Sequence, residues 1–109
     1  MEQILHSKIY GEDKTATPLV ILHGLFGMLD NWGTLGREFG EIYPTHLLDL
    51  RNHGKSFHSE EMSHNDLAED IKNYLEFHNI QKANIIGHSL GGKAVMQFAI
   101  KYPEMVEKL

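Results

Sequence analysis

A short β-branched run, Asn84-Ile85-Ile86, passes directly into Gly87-His88-Ser89-Leu90-Gly91-Gly92, and this junction constrains the fold more than any other stretch of the chain. Downstream, Leu90, Ala94, Val95, Phe98, Ala99 and Tyr102 recur at helical spacing until Pro103, which predicts a helix over 90–102. A strand must therefore reverse into a helix within a few residues. Gly87 and Gly91 lie two before and two after Ser89, where side chains would collide with the neighbouring strand and helix. Such a turn lifts the Ser89 hydroxyl clear of the backbone. It also sets the Leu90 N–H at a helix start, where backbone donors favour negative charge. A serine so mounted is the pattern of a nucleophile elbow. It points to acyl transfer through Ser89, with the Leu90 N–H facing the developing oxyanion. The bland alternative is a glycine-rich turn with an incidental serine; the strand before it and the helix after it count against that.

The rest of the chain alternates apolar segments with polar turns. Residues 4–10 read weakly as an edge strand. Leu19-Val20-Ile21-Leu22 is continuously aliphatic, which suits a strand covered on both faces in a parallel sheet. It runs into the turn His23-Gly24-Leu25-Phe26-Gly27. Asp30 or Asn31 is placed to cap a helix through Trp32, Leu35, Phe39 and Ile42, stopped by Pro44. A strand over 46–50 and a polar loop, Arg51-Asn52-His53-Gly54-Lys55-Ser56, follow. Ser63-His64-Asn65-Asp66 outlines a capping box for a helix with Leu67, Ile71, Tyr74, Leu75 and His78 on one face. Alternating strands and helices imply an α/β protein: a mostly parallel sheet with flanking helices, in three layers α/β/α. No repeat or linker divides residues 1–109, so one domain is expected.

Composition excludes several classes. Ten Lys+Arg against fifteen Asp+Glu leave a net charge of −5 and no basic stripe, which argues against nucleic acid. Cysteine is absent, so neither a disulfide scaffold nor a thiolate zinc site is available. No apolar run reaches membrane-spanning length. Met1-Glu2-Gln3-Ile4 lacks the regions of a signal peptide, which together suggests a cytoplasmic protein. The eight histidines form no metal-ligand pattern.

Three motifs, Leu22-His23-Gly24-Leu25-Phe26-Gly27, Asp49-Leu50-Arg51-Asn52-His53-Gly54-Lys55-Ser56 and Gly87-His88-Ser89-Leu90-Gly91-Gly92-Lys93, occur in an order and spacing that resemble the α/β-hydrolase superfamily. The resemblance is closest to the small bacterial YbfF-type esterases and their mitochondrial relatives, and covers nearly the whole chain. It implies that Ser89 is the nucleophile and that the Leu25 N–H, with Phe26 as runner-up, joins Leu90 in the oxyanion hole. It makes His23, Gly24, Gly87, His88 and Gly91 structural parts of the motifs, and Asp49 likewise. The implied substrate is a small acyl ester or thioester, with no metal or organic cofactor.

A serine needs a base to take its proton. His88 adjoins Ser89 in the chain and should point away, as a packing residue. His53 is expected to hold its own loop by hydrogen bonds, and His6, His46, His58, His64 and His78 to lie on the surface or a helix face. Lys93 reads as a helix-surface charge. Trp32, with Phe26 and Met28, either lines an acyl pocket or packs in the core. In the resembled family the acid and base follow the serine on later strands. Glu107-Lys108-Leu109 falls where that family's chain enters its next strand. The expectation is the N-terminal half of such a fold, with the elbow strand left as an exposed edge and the site inactive for want of acid and base. That edge could pair with a complementing C-terminal half or with a second copy. A non-catalytic α/β protein using the edge for binding is the rival from another class.

Overall fold

The computed structural model describes residues 3–109; Met1 and Glu2, which open the segment read above for a signal peptide, lie outside the described residues. Its centre is Leu19–Leu22 (β2), whose four residues are all buried. Alternation sends Val20 and Leu22 to one face of the sheet and Leu19 and Ile21 to the other. Both faces are covered, which is why the run is aliphatic without interruption. Thr45–Leu48 (β3) and Ala83–Gly87 (β4) pair with it in parallel, and Ser7–Tyr10 (β1) pairs antiparallel on β3 as an edge strand.

Gly33–Phe39 (α1) lies over one face, where Leu19, Ile21, Leu29 and Leu47 form a small cluster with Trp32 and Phe39. His64–Phe77 (α2) and Leu90–Lys101 (α3) cover the other, burying Leu67, Ile71, Tyr74, Leu75, Val95 and Phe98 against β2, β3 and β4. This is the three-layer α/β/α arrangement expected. At α2 the capping box forms as its sequence outlines: the Asp66 N–H donates to Ser63 Oγ at 3.0 Å and the Ser63 N–H to Asp66 Oδ2 at 3.0 Å. Pro103 ends α3 by forcing Tyr102 out of helical geometry.

Three expectations are corrected. First, β4 is not an edge. After a 3-10 turn at Pro103–Met105, Val106–Lys108 (β5) pairs in parallel with Ala83 and Asn84, giving the order β1-β3-β2-β4-β5. Val106 reaches the main core, and that contact draws the last residues onto the sheet. Second, neither Asp30 nor Asn31 caps α1. A 3-10 turn at Leu29–Trp32 precedes it, because the Asp49 carboxylate takes the Leu29 N–H at 2.7 Å while Asn31 Oδ1 accepts from the Met28 N–H at 2.9 Å. The helix closes at Gly40, leaving Ile42 beyond it and exposed. Third, His46 is buried, not a surface residue. Its strand register turns it toward α2, where Nδ1 lies 2.6 Å from the Tyr74 hydroxyl.

Candidate active site

The C-terminal ends of β2 and β4 lie side by side, Leu22 opposite Gly87, so the turns leaving them converge. After β4 the chain makes a β-turn closed by the Gly91 N–H donating to the His88 carbonyl at 2.9 Å. Ser89 sits at its second residue with φ 54 and ψ −112. Those angles are the first corner of a type II′ turn, a position glycine normally fills. The flanking glycines have measurable reasons. A Cβ on Gly87 would stand 2.6 Å from the Gly91 carbonyl oxygen, and one on Gly91 would stand 2.6 Å from the carbonyl oxygens of both Leu22 and His23. The elbow thus rests against both its own helix and the end of β2. Ser89 is exposed, and Leu90, the first residue of α3, has no intrahelical partner for its N–H.

The neighbouring turn, Gly24 to Gly27, is closed by the Gly27 N–H on the Gly24 carbonyl at 3.0 Å and carries Phe26 at φ 62. It abuts the elbow closely: a Cβ on Gly24 would lie 2.9 Å from His88 Nδ1 and 3.3 Å from Ser89 Cβ. The Phe26 N–H donates to His53 Nε2 at 3.0 Å. That engagement leaves Leu25 as the turn's remaining candidate donor.

Buried groups hold this turn from beneath. His23 accepts the Leu50 N–H on Nε2 at 3.0 Å, and its Nδ1–H donates to the Gly24 carbonyl at 2.7 Å. Burial is the chief cause that lowers its pKa, and a ring that accepts on Nε2 carries no proton there. His53 is tied likewise, through Nε2 to Phe26 and through Nδ1–H to the Arg51 carbonyl at 2.8 Å. Neither ring has a nitrogen free to take a proton from Ser89. Asp49 is equally committed: besides Leu29, it accepts the Lys55 N–H on Oδ2 at 3.0 Å. Gly54, at φ 50, lies against that carboxylate, where a Cβ would overlap it. His88 is exposed rather than packed in the core, its ring edge-on to Trp32 with centroids 6.2 Å apart.

Two parts of the site's support were not visible in the sequence. One is the link from His53 to the backbone of the Phe26 turn. The other is the side-on pair of Arg51 with Asp70, Nε to Oδ2 at 2.7 Å and the second guanidinium nitrogen to Oδ1 at 2.8 Å, which fastens the 51–62 loop to α2. Each joins residues far apart in the chain, and no local spacing announces it. Trp32 packs against the α1-side cluster, as one of its two expected roles has it, and also lines a cleft with Leu25, Phe26 and Leu35. Met28 falls on the other side of the turn. Among the described residues no three His, Asp or Glu side chains cluster as metal ligands would, and no helix is long and apolar enough to cross a membrane.

Residues 17–109 match the family model of the alpha/beta hydrolase fold. The chain is 48% identical over 91 residues to a provisionally named esterase/lipase of Haemophilus influenzae, covering 84% of this chain and 32% of that protein. It is 41% identical over 93 residues to the esterase YbfF of Escherichia coli, covering 85% of this chain and 37% of the relative. The solved structure of a marine microorganism esterase superposes with a TM-score of 0.94 at 41% identity, over 99% of this chain and 41% of that one. The chain thus spans about a third of the length of these curated relatives.

Proposed function

Because this chain belongs to the alpha/beta hydrolase fold family, we propose that it forms the N-terminal part of a single serine ester hydrolase domain, acting on small acyl esters or thioesters through an acyl-enzyme at Ser89. The observation that carries this is the elbow: an exposed serine held at φ 54 on a type II′ corner, at the first turn of α3 and against the Gly24 turn. A strained non-glycine residue persists where surrounding structure imposes it, and such positions gather at functional sites.

In this reading Ser89 Oγ bonds to the acyl carbon while the N–H groups of Leu25 and Leu90 hold the oxyanion. The serine proton passes to a base and then to the departing alkoxide or thiolate as its bond to carbon breaks. A water later gives a proton to the same base, attacks, and releases the acid, restoring Ser89. The base and its orienting acid come from outside the 109 residues, since His23 and His53 are fully engaged. No metal or organic cofactor takes part, and the setting is cytoplasmic. The free edge of β5 is where a complementing C-terminal portion pairs.

The test compares the 109-residue chain with a version extended by the C-terminal portion of the Haemophilus relative. Both are treated with a fluorophosphonate and with p-nitrophenyl butyrate. Expected are labelling and turnover in the extended chain, both lost in Ser89→Ala, and neither in the short chain. Turnover by the short chain that vanishes in Ser89→Ala overturns the incomplete site. An extended chain whose turnover is indifferent to Ser89→Ala overturns the nucleophile.

A further inference from the structure

The Gly24–Gly27 turn stands between two clefts, of about 370 Å³ on its Trp32 side and about 410 Å³ on its Met28 side. Phe26, its third residue, has its backbone at φ 62, with Leu25 ahead of it in ordinary geometry. That marks a type II turn, which normally asks for glycine at this place. A bulky residue there is costly. Phe26 is also 92% exposed, so packing of its ring does not impose the conformation. The hold comes from beneath, through the backbone, where the Phe26 N–H donates to His53 Nε2 at 3.0 Å.

His53 is a fixed acceptor. Its own N–H donates to the Leu50 carbonyl at 3.0 Å, its carbonyl accepts the Ser56 N–H at 3.0 Å, and its Nδ1–H donates to the Arg51 carbonyl. The buried ring lies beside His23, centroids 5.1 Å apart, and the two bridge crosswise. His23, from the turn, accepts the Leu50 N–H of the loop, while His53, from the loop, accepts the Phe26 N–H of the turn. Holding the loop needs only Nδ1 and the backbone of His53; Nε2 serves the turn. The peptide carrying the Leu25 N–H is held at its other end, where the Gly24 carbonyl accepts from His23 Nδ1–H and from the Gly27 N–H. His53 holds the next peptide, so both planes flanking the Leu25 Cα are fixed.

We propose that His53 is a positioning residue for the ester hydrolysis: by accepting the Phe26 N–H it keeps the turn in its type II form and the Leu25 N–H aimed at the oxyanion. It touches neither substrate nor reacting atoms. This role rests on Ser89 as nucleophile and Leu25 as donor. Without the acceptor, the Leu25–Phe26 peptide can turn over into type I, which needs no left-handed residue. The donor then loses its preorganised direction, and a displacement of about 1 Å costs up to about 10²-fold in rate.

The test uses the extended chain with p-nitrophenyl butyrate, each variant checked for fold by circular dichroism. His53→Asn keeps an N–H near the place of Nδ1 and puts nothing at Nε2, whereas His53→Gln puts an amide oxygen near Nε2. His53→Asn should lower kcat at least about tenfold with KM changed less than about threefold, since the oxyanion exists only past the ground state. His53→Gln should recover most of that loss. A residue that merely holds its loop gives the opposite order. Phe26→Gly makes the type II turn easy by itself, so in its background the His53→Asn loss should shrink. Unchanged kcat in His53→Asn, His53→Gln no better than His53→Asn, or an undiminished loss beside Phe26→Gly overturns the proposal. Nitrogen NMR of the unsubstituted 109-residue chain checks the link without any variant: His53 should carry its proton on Nδ1, and a ring protonated on Nε2 overturns it. Turnover indifferent to Ser89→Ala discards the nucleophile and this role with it. Ser89-dependent turnover that His53→Asn leaves intact discards the positioning role alone.

Discussion

Ser89 occupies a backbone position that a glycine would fill at no steric cost, and the chain tolerates the difference because two neighbours are glycines instead. Non-glycine residues at such angles cost about 1–3 kcal/mol. Ser89→Gly should therefore raise stability by about 1 kcal/mol in urea unfolding, whereas Ser89→Ala, which keeps the strain, should leave it nearly unchanged. Equal stability of the two variants would show that the elbow stores no strain. The converse substitution is severe. A methyl group at Gly87 meets the Gly91 carbonyl oxygen at 2.6 Å, backbone against backbone. Gly87→Ala should cost about 3 kcal/mol, the upper range for forced overpacking, with a matching fall in the urea midpoint. The elbow was legible in the sequence because its restraints are local: a β-branched run, two glycines at fixed offsets and a helical repeat. The partner of the Phe26 N–H was not legible, since His53 reaches it from 27 residues away.

At the scale of elements, the sheet and α2 are joined through groups that ionise at a cost. His46 on β3 is buried against Tyr74 on α2, and burial, assisted by His78, lowers its pKa to about 4 from an ordinary value near 6.5. The unfolded chain then binds a proton that the folded chain resists. Stability from this group is complete above pH 6.5 and is lost as pH falls toward 4, with a slope of up to about 1.4 kcal/mol per pH unit. His23 and His78 are lowered too and add to the same acid limb. In His46→Asn the fall in unfolding free energy between pH 6.5 and 4 should shrink by about one proton's worth of slope; an unchanged limb would remove His46 from the account. Arg51 and Asp70 make the second joint. Both are largely buried, with side-chain exposures of 12% and 4%. Asp70→Ala strands the guanidinium and should cost about 3–5 kcal/mol, measured by denaturant unfolding. A loss below about 1 kcal/mol would class the pair with exposed ones. No local spacing singles out Asp70; only the fold carries the 51–62 loop across it.

The whole molecule is finished on one side and bare on the other. β1 closes one edge, but β5 has three residues and pairs with only the first part of β4. Beyond it, Ile85, Ile86, Met96 and Leu109 border an apolar groove of about 440 Å³. On the α1 face a further groove runs over Phe39, Tyr43, Asn84 and Ile86, and Asn84 Oδ1 is buried there with no partner. Apolar surface beside unpaired strand edges favours association. The 109-residue chain should show a concentration-dependent sedimentation coefficient, and Met96→Lys with Leu109→Lys should hold it monomeric. A wild-type chain that sediments as a monomer at every concentration would contradict this.

Periodicity and turn chemistry determined by themselves the α/β class, the parallel β2, the capping box of α2, the stop at Pro103 and the mounting of Ser89. Each rests on residues within a few positions of one another, where backbone sterics leave little choice. Tertiary structure alone decided that β5 covers part of β4, that His46 is buried, that a 3-10 turn replaces the expected cap of α1, and that one turn divides two clefts. Those outcomes depend on contacts between distant segments, Asp49 with Leu29 and His53 with Phe26 among them. Such contacts become favourable only once the sheet has brought their partners within hydrogen-bonding distance.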